Sequence, residues 1–317
     1  MSSRDCGGRD NTVPARRFRR FGNQTGRSGS PVQNESETPI GLHMNRGEPS
    51  ANAAAVVATR LTRRFDSFTA VDQLNFTTAK GLIFGLLGPN GAGKSTLIKM
   101  LITLLPVSEG TALVAGFDIV REPREVRRRI GYVPQMLSAD GELTGYENLL
   151  ISAKLYSIPY AERQKRISQA LDFMELADVG DQLVSRYSGG MVRRLEIAQA
   201  MMHRPLVLFL DEPTIGLDPV AKHSFWQRIR DLRREYGTTI FMTTHDMEEA
   251  ESLCEIVTFM HRGRIAASGS PAELRAALGP SATLDDVFLH YTGASISEAG
   301  GDFRDAARTR LTARRLG

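Results

Sequence analysis

The sequence predicts an α/β protein built on a mostly parallel sheet, and three stretches carry that prediction. LVLFLDEP at 206–213 and TTIFMTTHD at 238–246 are short continuous apolar runs, the pattern of strands buried on both faces, with the helical AKHSFWQRIRDLRREY between them. LIFGLLG at 82–88 is a third such run and feeds directly into the helical KSTLIKMLITLL. Strands that alternate with helices in this way form a parallel sheet with crossover helices.

Residues 1–54 are rich in Gly, Ser, Asn, Pro and Arg and lack apolar periodicity, so they are expected to form a disordered basic tail, with Met44 a candidate alternative start. Residues 55–270 carry the patterned sequence. AVVATRL and LNFTTAK read as strands before the LIFGLLG run. The stretch from about 137 to 187 has no strong strand signal and reads as a helical subdomain, in which Thr144 and Glu147 are spaced as a capping box ahead of NLLISAKLY. HRGRIAASGSPAELRAAL reads as a hairpin followed by a helix, and LDDVFLHYTG as a last short helix, so 271–295 is expected as a helical extension. Residues 296–317 revert to a polar, arginine-rich tail.

A chain of 317 residues with 41% apolar content can bury a substantial core. Its net charge of +4 is small, and no basic stripe is interleaved with aromatics, which argues against a nucleic-acid partner. Cys6 and Cys254 are its two cysteines and neither has a metal-ligand neighbour, so a reducing compartment fits. The longest apolar runs fall far short of the roughly 20 residues that cross a bilayer. ARRFRRF at 15–21 lacks the apolar segment that an export signal requires after it.

The chemistry begins at GPNGAGKST, residues 88–96, which sits between a predicted strand and a predicted helix. Gly88, Gly91 and Gly93 let the backbone curl around Pro89, Asn90 and Ala92, so that N–H groups point at phosphate oxygens, and the helix N-terminus adds its partial positive charge. Lys94 is placed to reach the β- and γ-phosphates and Ser95 to ligate Mg²⁺, and Thr96 is counted with them as the last residue of the phosphate-binding stretch. The strand LVLFL ends in two carboxylates: Asp211 suits a water-mediated Mg²⁺ contact, and Glu212 suits a general base on the water that attacks the γ-phosphate. His245 follows another strand and could hold the γ-phosphate, Glu212 and the water in line. Gln135, just after GYVP, could touch Mg²⁺ and the same water. In RYSGGMVRRLEIAQA a serine and two glycines open a helix, leaving backbone N–H groups accessible to an anion at Ser188, Gly189 and Gly190.

In order and spacing, GPNGAGKST, Gln135, YSGGM, LFLDEPT, GLDP and His245 resemble the nucleotide-binding subunits of ABC (ATP-binding cassette) transporters. The resemblance implies a P-loop NTPase fold with an antiparallel β subdomain beside the parallel sheet. It also implies ATP hydrolysis with Mg²⁺ in a head-to-tail dimer of identical or related subunits, each ATP lying between one phosphate loop and the other subunit's SGG signature. Phe65 falls at the family's adenine-stacking aromatic, and Asp218 in the loop that links the two sites. A separate transmembrane permease is implied as partner, with the subunit held peripherally at the cytoplasmic face of the membrane and the helical subdomain as docking surface. Two departures are Tyr187 and Met191, where the family signature usually has Leu and Gln. The SGGM form, TIGLDP and TLDDVFLHYTG are similar to the daunorubicin/doxorubicin-resistance branch of exporters, which implies drug or antibiotic efflux. The alternative considered is a soluble ABC ATPase acting as a mechanical switch on a ribosome or DNA.

Overall fold

The structure, a computed structural model, describes residues 54–293. The tails expected at 1–54 and 296–317, and the candidate start at Met44, lie outside the described residues, apart from Ala54 itself, which is buried as the first residue of β1.

The chain opens with β1 (Ala54–Phe65), β2 (Phe68–Ala79) and β3 (Ile83–Leu87), then α1 (Lys94–Leu101), β4 (Glu109–Val114), β5 (Phe117–Asp118), α2 (Pro123–Arg129) and β6 (Ile130–Val133). A helical stretch follows: α3 (Gly145–Leu155), α4 (Tyr160–Phe173) and, after two single 3-10 turns, α5 (Gly189–Met201). Then come β7 (Val207–Asp211), α6 (Pro219–Tyr236), β8 (Thr239–Thr244), α7 (Met247–Leu253), β9 (Ile256–His261), β10 (Arg264–Gly269), α8 (Pro271–Ala276) and α9 (Leu284–Thr292).

Two sheets result. The larger has the order β10-β9-β3-β8-β7-β6, in which β6, β7, β8, β3 and β9 run parallel and only β10 is antiparallel. All residues of β3, β7 and β8 are buried, because each face is covered by its own core. Alternation decides which side chain serves which face. Phe84, Phe209 and Phe241 point to the side of α1, with ring centroids 4.7 and 5.3 Å apart along the row, whereas Ile83, Leu208, Leu210, Ile240 and Met242 meet Phe225, Trp226 and Ile229 of α6. The smaller sheet, β2-β1-β4-β5, is antiparallel and packs its inner face onto the α1 side.

Helix ends follow local chemistry. The Thr144–Glu147 box closes on α3 as the spacing predicts, with both reciprocal hydrogen bonds made. Asp218 caps α6 by accepting from Val220 N and Ala221 N at 3.0 Å, Pro219 follows it at the first helical position, and Gly237 ends the helix in the left-handed region. The helical block does not stop at residue 187, since α5 shares the buried core of α3 and α4 through Leu195 and Ile197.

One buried contact sets α6 against α7, the helix that starts beside His245. The Trp226 indole N–H donates to Glu249 Oε1 at 3.0 Å, with both residues buried, and burial pushes the Glu249 carboxyl above its usual range. Trp226→Phe removes the donor and leaves a buried acceptor without it. Chemical denaturation should show a loss of about 1–3 kcal/mol.

Candidate functional site

Four of the predicted groups follow the C-terminal ends of neighbouring parallel strands. The phosphate loop follows β3, Asp211 ends β7, His245 comes after β8 and Gln135 after β6, so the strand order itself gathers them at one edge of the sheet. Register sharpens this: Leu87 pairs with Thr244, and Asp211 with Thr243.

The loop from Gly88 to Gly93 turns tightly between β3 and α1. Gly93 has φ +106°, and a Cβ there would collide with the Ala70 carbonyl, so the position demands glycine. Ala92 N donates to Pro89 O at 3.1 Å, and Gly263 N donates to Ala92 O at 2.9 Å, fixing the loop against the β9–β10 turn. No side chain caps α1. Its first-turn N–H groups, from Lys94, Ser95 and Thr96, therefore suit an external anion, and a helix N-terminus entered through glycines is the chemistry a phosphate needs.

Lys94 is only 4% exposed. Its ammonium donates to Gly88 O at 2.6 Å and Pro89 O at 3.2 Å, and it pairs with Glu212 Oε1 at 3.0 Å. Sequence reasoning aims this ammonium at phosphates alone. In the structure its anionic partner is Glu212, because a buried charge requires one. A phosphate entering the loop competes with Glu212 for the same cation.

The other Glu212 oxygen, Oε2, lies 3.3 Å from His245 Nδ1 and 3.4 Å from Gln135 Nε2. Burial raises the Glu212 carboxyl pKa, but the His245 hydrogen bond and the Lys94 charge outweigh it and hold the group below its ordinary range. His245 moves the opposite way, raised first by its hydrogen bond to Glu212. Glu212 also has φ +47°, a left-handed backbone on a non-glycine residue, which costs of order 1–3 kcal/mol. Its own N–H is held in this conformation by Thr243 Oγ1 at 2.9 Å.

Asp211 Oδ1 accepts from Ser95 Oγ at 3.0 Å and from Thr243 Oγ1 at 2.7 Å. Two of the three groups assigned to Mg²⁺, Ser95 and Asp211, are thus in direct contact. Ser95, Asp211 and the Gln135 amide make an all-oxygen donor set, and few carboxylates plus phosphate and water is the coordination that Mg²⁺ favours. Thr243, which touches both Asp211 and Glu212, was not singled out from the sequence; its signal is only that it precedes THD on a buried strand.

A cleft of about 430 Å³ opens beside the loop, lined by Asn90, Gln135, Glu212, Lys222, Thr244 and His245 among others. Phe65 does not line it. It sits half-exposed at the tip of the β1–β2 hairpin, with the Arg63 guanidinium 4.4 Å over its ring.

Ser188, Gly189 and Gly190 are placed elsewhere. Ser188 caps α5, its Oγ accepting from Met191 N at 3.3 Å, while a Cβ on Gly190 would lie 3.2 Å from Ala221 Cβ and one on Gly189 3.8 Å from Leu217. These three residues flank the start of α6 and do not line the cleft of their own chain. Tyr187 is buried, and its hydroxyl donates to Val179 O at 2.7 Å; a Cβ on Gly145 would collide with that hydroxyl. The half-buried Met191 side chain packs on the same core.

The sequence pattern of the ABC transporter family matches residues 71–215, from β2 to just past Glu212. The daunorubicin/doxorubicin resistance ATP-binding protein DrrA of Streptomyces peucetius is 43% identical over 225 residues, which is 71% of this chain and 68% of that protein. The chain belongs to the ABC transporter family. The Nod factor export ATP-binding protein I of Sinorhizobium fredii is likewise 43% identical, over 71% of this chain and 65% of its own length. A probable multidrug ABC transporter ATP-binding protein of Escherichia coli, YbhF, is 37% identical over 80% of this chain and 44% of that protein. Among solved structures, an ATP-binding subunit of an ABC transporter superposes with TM-score 0.67 at 29% identity, covering 75% of this chain and 99% of that one. The cbiO1 subunit from Clostridium perfringens, part of the cbiONQ complex, gives 0.66 at 29% identity over 71% and 91%.

This ABC subunit binds and hydrolyses ATP to drive export, the hydrolysis being coupled to transport by a separate membrane permease. The comparisons favour that function over a switch acting on a ribosome or DNA. Among the described residues no helix is long and apolar enough to cross a membrane.

The Glu212–His245 contact has a pH signature. With the Glu212 pKa depressed below 4.5 and the His245 pKa raised above 6.5, both groups are charged across that interval. The contribution from Glu212 is lost as pH falls through its lowered pKa, and that from His245 as pH rises through its raised one. An NMR titration should therefore find His245 titrating above 6.5 and dropping back in Glu212→Gln.

Proposed function

We propose that two copies of this ABC subunit, or one copy and a related chain, close head to tail around ATP, with Glu212 as general base. The observation that carries this reading is the convergence at one sheet edge of Lys94, Gln135 and His245 on Glu212 and of Ser95 on Asp211, with Thr243 bonded to both carboxylate residues. The β- and γ-phosphates take the Lys94 ammonium and the free N–H groups of α1, which releases Glu212 Oε1. Its carboxylate, kept ionised by His245, accepts a proton as water attacks the γ-phosphorus and the bond to the leaving ADP oxygen breaks. Mg²⁺, held by Ser95 and, through water, Asp211, with the Gln135 amide near, would neutralise charge on the phosphate oxygens. His245 and Gln135 orient Glu212 and the water.

Ser188, Gly189 and Gly190 serve the other subunit's γ-phosphate. Their position away from their own cleft supports this, as does the Ser188 O–H, which keeps its donor because the cap uses only its lone pair. Phe65 stacks the adenine on the face opposite Arg63. Asp218, at the cap of α6, borders the second site. The permease docks on the helical block, where Leu155 and Tyr160 are exposed, with the exposed Met136 in the loop that leads into it. The likeness to daunorubicin/doxorubicin-resistance and Nod factor export proteins supports drug or antibiotic efflux.

Glu212→Gln should retain ATP and lose turnover by at least about 100-fold in a steady-state ATPase assay, and a variant with normal turnover would contradict the assignment of the base. Met191 supplies its backbone N–H to the Ser188 cap and its side chain to the core, so no amide is required there. Met191→Gln should change turnover by less than about tenfold, under about 1.4 kcal/mol.

A further inference from the structure

The loop that carries Gln135 is tied to the signature helix by a buried ion pair outside the ATP cleft. Arg193 and Glu196, one turn apart on α5, are each 2% exposed and bond to one another at 2.8 Å. The remaining bonds of the pair go to the loop. Arg193 Nη1 donates to Pro134 O at 2.7 Å and Nη2 to Gln135 O at 2.8 Å. Glu196 Oε1 accepts from the backbone N–H of Ser138, from Ser138 Oγ at 3.0 Å and from Ala139 N at 3.3 Å. Gln135 is thus gripped at its own carbonyl, at the residue before it and at the residues three and four beyond it.

A buried ion pair is poor value as a stabiliser, because the desolvation of two charges offsets their attraction and apolar residues of similar volume often do as well. Packing alone would be met by leucine and methionine in a helix already surrounded by core. What apolar side chains cannot do is hold four backbone groups of a loop that has no strand or helix to pair with. Arg193 supplies two parallel donors in a rigid fork, the geometry that two successive carbonyls require.

We propose that Arg193 and Glu196 are positioning residues for Gln135, making the glutamine loop and the SGG-bearing helix move as one body. Capture of a phosphate at Ser188–Gly190 then shifts Gln135 relative to Glu212, from which it stands 3.4 Å. This rests on the reading of Gln135 as a group that orients the attacking water.

A double-mutant cycle on the full-length chain, followed by steady-state turnover of MgATP, tests it. Arg193→Lys keeps the charge beside Glu196 but cannot bridge both carbonyls. Gln135→Ala and Arg193→Lys should each lower kcat by about tenfold with KM within about threefold, and the double variant should turn over no more slowly than Gln135→Ala alone. A merely structural arginine would lower thermal stability and raise KM together, and its effect would multiply with that of Gln135→Ala; either multiplication or a wild-type rate for Arg193→Lys overturns the proposal. If Gln135→Ala itself turns over at the wild-type rate, the reading of Gln135 falls and takes the proposal with it. Should Arg193→Lys fail to fold, Glu196→Gln, which removes the anion that holds the fork, takes its place in the cycle.

Discussion

A lysine ammonium almost wholly removed from water is the constraint around which this subunit is organised. Desolvating such a charge costs several kcal/mol, so Lys94 must be met by an anion and by carbonyls wherever it points. The phosphate loop supplies two carbonyls, from Gly88 and Pro89, and β7 delivers Glu212. Glu212 is in turn balanced by His245 and Gln135, so moving the Lys94 charge onto phosphates redistributes bonds through every group at the edge of the sheet. The left-handed backbone of Glu212 belongs to the same economy of position: it turns the carboxylate back toward the loop at the strand end, and Thr243 holds it there.

The sheet makes that geometry reproducible. Because side chains alternate, a slip of one residue between β7 and β8 would exchange the phenylalanine row for the aliphatic face that meets α6. Both faces of β7 and β8 are committed to packed cores, so the register is pinned from two sides. Asp211 and Thr243 then stay opposite one another without any need for flexible adjustment.

Much of this was legible in the amino-acid sequence, for identifiable reasons. The runs IFGLL, VLFLD and TIFMTT are continuous because their strands are buried on both faces, and the glycines before α1 stand out because other residues cannot take their conformations. The capping box at Thr144 is local chemistry, readable within four residues. What stayed hidden depends on long-range pairing. Nothing in VRRLEIAQA marks Arg193 and Glu196 as buried, since charged residues at helical spacing ordinarily form a solvated face. Nor does any local signal join Lys94 to Glu212 in the absence of the fold, or give Glu212 its left-handed backbone. The motifs gather these groups at one site, but which of them hold one another depends on the fold.

Tyr187 is the feature with the widest practical reach. Its hydroxyl occupies the space that a side chain at position 145 would need and bonds to the Val179 carbonyl beside it. The first letter of the signature is therefore sterically coupled to a glycine more than a helix away in the chain. A chimera that grafts a leucine-type signature onto this cassette would open a void over Gly145. The reverse graft, tyrosine into a cassette with a side chain at that position, would drive two groups into the same volume. Segments exchanged between such subunits should be cut so that residues 145 and 187 travel together.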